Sequence, residues 1–351
     1  MASHQIETLL SCYVMVLIVI SAIAGTSMYT APFVRSRYIN YAFDSGYRLA
    51  EYWLINPGVP TNWGEITNLS LENFGLAKNK ITLPYELDID KVSRLNDKNR
   101  FHIDLFDAVK AMNIRNRIVK IKISLLFNIH VNMTGKIVRE TSTVYQFKIR
   151  TEKDGWLIDS EIRYYVTLES YIYENEISSQ GTSVINFSLP NYLSGIALLV
   201  VFARAGNMVV SYATYSFSHN VSQDPNRVGS LLQLSPLNFT LYIERYFSNE
   251  RITNVRVFSY NYTFEIERIS DWNRLMRYRI PKLLDSSILV IVVSGYNETD
   301  PFVEWTTYPQ IPLVFGCRFD RFNDAYHSTL YPFIVTVHHA LYNCEIILGG
   351  S

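Results

Sequence analysis

The sequence predicts a mainly β protein that begins with a transmembrane and amphipathic α-helical segment, and three observations point there. Aromatic residues are dense (25 Tyr, 19 Phe and 5 Trp) while Gly and Pro are sparse, at 15 and 12 of 351 residues; this composition suits pleated, half-buried strands. Polar and apolar residues alternate in stretches such as "STVYQFKIR" (142–150), the period of a strand with one buried face. The segment "LPNYLSGIALLVVFARAGN" from Leu189 matches "IPKLLDSSILVIVVSGYNE" from Ile280, proline on proline and apolar run on apolar run. An offset of about 91 residues fits two copies of one sandwich-sized unit. The fold class is therefore two immunoglobulin-like β-sandwich domains behind an N-terminal helix. The divisions read from the chain are 1–30 (transmembrane helix or leader), 31–100 (amphipathic helix, corner and connection), 101–218 (first sandwich) and 219–351 (second sandwich).

The first element is an apolar run. No charged residue occurs from Thr8 to Val34, and Leu9 to Gly25 is apolar nearly throughout, about the length that crosses a bilayer at 1.5 Å per residue. Three readings compete. Ala22-Ile23-Ala24 offers a small-x-small signal cleavage site, but no Lys or Arg precedes the apolar core. A signal anchor requires only the span; Arg35, Arg37 and Arg48 follow it, against the positive-inside rule, although long domains translocate largely regardless of charge. A prepilin-like leader would place cleavage after Ala2, with Ser3 as the new N-terminus and Glu7 as its fifth residue. There a glutamate can pair with a neighbour's terminal amine inside the bilayer. The expectation is a single-pass cell-membrane protein with its body outside the cell. Its partners would be lipid and, where it assembles, other pilin-like or envelope subunits.

After Pro32, Ile39, Phe43, Tyr47, Ala50 and Leu54 recur at intervals of three or four, the stripe of an amphipathic helix. "NPGVPTNWG" then turns the chain. Pro57 stops the helix, Gly58 supplies positive φ, Pro60 fixes φ again, and Trp63 followed by Gly64 brings a large apolar face to the turn. This corner is expected to set the exit angle of the chain, so that deleting 57–60 loosens the body without lowering its melting temperature. The corner and the following "FGLA" and "YELDIDKVSRL" (85–95) together resemble a group of archaeal surface proteins with pilin-like N-termini and β-rich ectodomains. The resemblance covers roughly the first hundred residues. It implies an exported, membrane-held component of the cell envelope and no activity.

Further along, "DLFDAVKAM" (104–112) reads as a short helix opened by Asp104, residues 117–132 and 142–150 as antiparallel strands, and "PFIVTVHHALYNCEIILGG" (332–350) as a hairpin. Equal numbers of basic and acidic residues, 32 each, give no basic stripe for nucleic acid. Cys317 and Cys344 would close a loop of about 27 residues as a disulfide, or remain as two free thiols. Sequons at Asn68, Asn132, Asn186, Asn220, Asn238, Asn261 and Asn297 are candidates for N-glycosylation of an exported glycoprotein.

No phosphate loop, metalloprotease motif, dinucleotide fingerprint or paired C-x-x-C is present, so the reading is non-enzymatic, with no cofactor and no metal. The carboxylates of "NETD" (297–300) and "LDID" (87–90) suit solvated or capping roles better than calcium ligation. Two alternatives remain. One is an exported hydrolase built on Cys317, Asp324, His327, His338 and His339, and the other is a carbohydrate-binding ectodomain that uses surface aromatic residues.

Overall fold

The computed structural model describes residues 15, 19, 44–67, 70–80, 83–114, 118–223, 225, 229, 231–272, 274–283, 287–317 and 328–349. Apart from Met15 and Val19, the apolar run lies outside them, as do Ala2, Ser3, Glu7, Asn68, Asp324 and His327. Among the described residues no helix is long and apolar enough to cross a membrane. The chain divides into Met1–Glu51 and Tyr52–Ser351. In the first unit residues 44–51 are helical, with an exposed Arg48–Asp44 pair at 3.3 Å. Helix α1 (44–55) ends at Ile55, two residues before Pro57.

The second unit is mostly β and contains two sandwiches. In the first, β3 (Asn128–Val138), β4 (Ser142–Lys153) and β8 (Thr182–Pro190) form one sheet, with the short β5 (Trp156–Leu157) on β4. The facing sheet runs β7 (Tyr171–Gln180), β6 (Asp159–Leu168), β9 (Gly195–Arg204), β10 (Val210–His219). Alternate residues of β4 and β8 point into a core where Tyr145, Phe147, Phe187 and Phe217 interlock, Phe147 and Phe187 stacked at 5.5 Å. Tyr145 Oη donates to His219 Nδ1 (2.8 Å) while His219 Nε2 donates to Pro190 O (3.0 Å), so the buried ring stays neutral and its pKa is lowered by burial.

The second sandwich repeats this order. One sheet is β11 (Leu232–Leu237), β12 (Thr240–Arg245), β16 (Leu275–Arg279), with β15 (Arg268–Trp272) at its edge. The other is β14 (Thr263–Glu265), β13 (Glu250–Phe258), β17 (Leu289–Asn297), β18 (Asp300–Tyr308). Apart from β5 and β15, strands 3, 4, 6, 7, 8, 9, 10 and strands 11, 12, 13, 14, 16, 17, 18 occupy equivalent places. The two repeat segments found in the sequence run from the end of β8 into β9 and from the end of β16 into β17, the same crossing in each sandwich.

The strands β9 and β17 are buried on both faces. Ala197, Leu199, Val201 and Ala203 face the first core and Leu289, Ile291 and Val293 the second. The intervening Leu198, Val200, Phe202, Val290 and Val292 are equally buried, because the two four-stranded sheets pack back to back. Tyr165 meets Phe258 at 5.2 Å and donates to Tyr260 O (3.2 Å), and the Arg204 guanidinium lies 4.2 Å from the Tyr260 ring. Each apolar side chain so covered contributes about 1.5–3 kcal/mol. This explains why these strands read as continuous apolar runs rather than alternations.

Residues beyond Tyr308 depart from the expected second domain. A mixed sheet of order β1 (Glu86–Leu87), β20 (Ser328–Val337), β21 (Ala340–Gly349), β2 (Ile118–Ser124), β19 (Leu313–Gly316) joins both ends of the unit. The run 117–132 is thus not one strand: β2 pairs with β21, while β3 starts the first sandwich. Leu125–Phe127 changes the sheet to which the chain belongs. The C-terminal hairpin forms about His338 and His339, both at positive φ (47° and 67°), in a two-residue turn rather than on opposite faces of a strand.

Candidate functional site at the Pro-Gly-Trp corner

The corner begins where Pro57 denies the helix another N–H. Gly58 takes φ +78°, and a Cβ there would lie 2.7 Å from Asn73 O. Val59 N donates to Asn73 O and Glu72 N to Val59 O, both at 2.9 Å, so the corner is pinned to the strand-like segment that follows it. The Val59–Pro60 peptide is cis. Trp63 is wholly buried; its indole N–H donates to Gly75 O (2.8 Å) and its ring leans on Phe74 at 6.1 Å, which meets Trp53 edge-on.

The second motif supplies the other half of the site. Helix α2 (Ile89–Ser93) is capped by Asp88, whose Oδ1 accepts from Asp90 N (3.0 Å) and Lys91 N (3.1 Å). Gly64 lies against this first turn, where a Cβ would fall 2.8 Å from Lys91 N. Lys91 is fully buried, and its ammonium donates to Pro57 O (2.7 Å) and Ala77 O (2.8 Å) at 5.9 Å from the Trp63 ring. Arg94 donates from one terminal nitrogen to Trp63 O (2.7 Å) and Ile66 O (2.5 Å), and from Nε to Phe101 O (2.7 Å). Helix α3 (Leu105–Met112), capped by Asp104, follows.

Two cations thus hold the corner through its carbonyls. Burial is the larger influence on both, pulling the Lys91 ammonium down to about 8 and the Arg94 guanidinium down to about 10. Within the same helix, Asp90 Oδ1 accepts from Asn238 N and Tyr308 Oη, each at 2.7 Å, fastening α2 to the second sandwich. Burial raises this carboxyl to about 7 despite both hydrogen bonds. Below its ordinary value near 3.8 its neutral form contributes stability in full, and that contribution is lost as pH rises through about 7. Asp90→Asn keeps the accepting oxygen and removes the titration. Between pH 4 and 8 the melting temperature is expected to vary less for the variant, the native chain losing stability relative to it from about pH 4 to about pH 7 and no further above that.

The charged groups of this arrangement are engaged in fastening the protein to itself. Lys91 and Arg94 are the residues that the sequence reading passed over. The signal was there, since both lie within "LDIDKVSRL", but charge on a short helix ordinarily means exposure.

The remaining candidates are dispersed. Cys317 and Cys344 are free thiols rather than a disulfide. Cys317 N bonds Val119 O, and Cys344 pairs with Ile123 across β2. Two strand spacings and four residues of rise separate them by roughly 16 Å, beyond the 7 Å limit for a bridge. Iodoacetamide without reductant is expected to modify half-buried Cys317 in the folded protein. Cys344, whose thiol burial pushes up to about 12, should react only after denaturation, with peptide mass mapping to locate the adducts among the three cysteines.

The hydrolase constellation is likewise separated. Cys317 lies near the Leu348 end of β21 and the His338–His339 turn at the other, roughly 27 Å apart along the strand. His338 instead packs on Phe239 at 6.0 Å. Among the described residues no group of three or more His, Cys, Asp or Glu side chains is arranged to hold a metal; Asp88 caps α2, Asp300 accepts from Gln223 and Glu298 from Asn249. Of the sequons, Asn132, Asn186, Asn220, Asn238 and Asn261 are exposed and Asn297 is half-buried. Asn220 Nδ2 already donates to Asn191 O and Leu193 O.

No family profile and no curated protein matches this chain. Among solved structures, a marsupial T cell receptor aligns at 10% identity over 51% of this chain and 95% of its own, with a TM-score of 0.20. A two-domain fibronectin type III segment from chicken tenascin aligns at 12% identity over 56% of this chain and 99% of its own, with a TM-score of 0.17. Scores this low carry no argument about fold or activity.

Proposed function

We propose that this chain is a non-enzymatic, membrane-held protein of the cell surface, a pilin-like subunit or an envelope structural or adhesive component, with immunoglobulin-like sandwiches outside the cell. The immunoglobulin-like reading is supported by the twice-repeated order of a three-strand sheet facing a four-strand sheet. The observation that carries the functional reading is an uncharged apolar run followed, within the same hundred residues, by a corner that two buried cations fasten into the folded body. A polypeptide held at one end by a bilayer needs a firm entry into its body, and carbonyls gripped by Lys91 and Arg94 provide one. The exposed sequons fit an exported glycoprotein.

Mass-spectrometric mapping of the mature N-terminus, on protein from native membranes and from the surrounding medium, tests this reading. Membrane-bound chain starting at Met1 or Ala2 is the result expected of a plain anchor. A start at Ser3 selects the pilin-like subunit. A soluble chain starting at Gly25 would overturn membrane attachment.

A further inference from the structure

The first sandwich, the second sandwich and the connection from α2 to α3 border a cleft of about 530 Å³, within the size range of small-molecule sites, which favour such junctions. One wall is aromatic. Tyr212 of β10 and Trp305 of β18 meet edge to face at 6.3 Å, and Tyr246, 44% exposed, lies on the lining.

The base of the cleft is rigid. Glu304 is buried, and its carboxylate accepts from Gly229 N (2.5 Å), Leu231 N (2.9 Å) and Leu232 N (3.4 Å). Gln310 donates to Leu234 O (3.3 Å) and Thr306 Oγ1 (3.1 Å) and accepts from Asn99 (2.7 Å). These groups hold the cleft open by bonding to the protein itself. At the rim, Gln233 donates to Lys98 O (3.3 Å), which leaves its amide oxygen to accept; the Thr306 hydroxyl retains its proton to donate, and Asp97 is exposed.

Charge narrows the ligand class. Among the described residues of the lining Lys98 is the one cation, with Asp97 beside it, a poor match for phosphate or a polyanion. Aromatic faces together with neutral amide and hydroxyl groups suit a molecule that offers C–H faces and hydroxyl edges at once. We propose that this cleft binds a neutral oligosaccharide, with Trp305 and Tyr246 against sugar-ring faces and Gln233, Thr306 and Asp97 bonding the hydroxyls. The proposal does not depend on membrane attachment and goes beyond it.

The test uses the full chain in a detergent without a sugar headgroup. Chitotriose, cellotriose and mannotriose are titrated separately, with tryptophan fluorescence and calorimetry as readouts. At least one is expected to bind saturably with Kd of about 0.1–5 mM. Tyr246→Ala and Gln233→Leu should each weaken binding about fivefold or more without moving the melting temperature. Trp305→Ala should abolish it, but because Trp305 also supports Tyr212, the two rim variants decide the matter. Absence of saturable binding by all three sugars, native-like affinity in both rim variants, or preference for a sulfated trisaccharide would each overturn the proposal.

Discussion

Trp63→Ala is expected to destabilise the body by about 3–5 kcal/mol, the range for removing a large aromatic side chain from a core that cannot collapse around the cavity. The indole is wholly buried, supports Phe74 and donates to Gly75 O, so the variant loses packing and leaves a carbonyl without its donor. Lys91→Ala should be comparably damaging, because it frees Pro57 O and Ala77 O in the interior. Lys91→Met tests the charge separately: the stem is retained, and the desolvation that draws the ammonium down to about 8 is relieved. Removing residues 57–60 should lower the melting temperature along with these variants. That reverses the expectation drawn from the sequence, in which the corner only oriented the chain; the reason is that Pro57 O is bonded inside the body. Chemical denaturation with unchanged m-value is the measurement. A loss under 1 kcal/mol for Trp63→Ala would show that the corner is peripheral.

Val200→Asp and Val292→Asp should each unfold or separate the two sandwiches. Both side chains are buried on the faces that pack back to back, where a carboxylate loses its hydration and gains no partner. The expected penalty is about 3–5 kcal/mol or more, a large share of ordinary domain stability. Val184→Asp is the control: it lies on β8 at 55% exposure, and a surface change of this kind is expected to stay within about 0.5 kcal/mol. If the β9 and β17 substitutions were as mild as the control, the sandwiches would not be joined through these sheets. Limited proteolysis near residues 220–230 distinguishes separation of two folded halves from global unfolding.

How much of this was legible beforehand differs from element to element. The two strands with continuous apolar character, 196–203 and 288–293, announced burial on both faces. The repeat located them at one topological position, and the helix 105–112 followed from Asp104 as its cap. The mixed sheet was not legible. Its strands come from residues 86–87, 118–124, 313–316 and 328–349, and no local pattern states that β21 will pair with β2 rather than extend the second sandwich. Alternation in 117–124 specifies a strand with a buried face and leaves open which sheet receives it.

The charged lock shows the same division more sharply. Pro57, Gly58 and Pro60 dictate a turn through their own backbone restrictions, and Trp63 calls for burial through its apolar area, so the sequence by itself determined that a corner forms and that it is covered. It also determined a β-rich body with two related units, because side-chain periodicity and composition are local properties. Only the tertiary structure decided that Lys91 and Arg94 are buried with their charges directed at corner carbonyls, that Asp90 reaches Tyr308, that Cys317 and Cys344 lie apart, and that the sandwiches stand back to back. Those outcomes depend on which distant backbone groups are left without partners once the sheets assemble, and a buried donor or acceptor must be matched wherever in the chain its partner happens to lie.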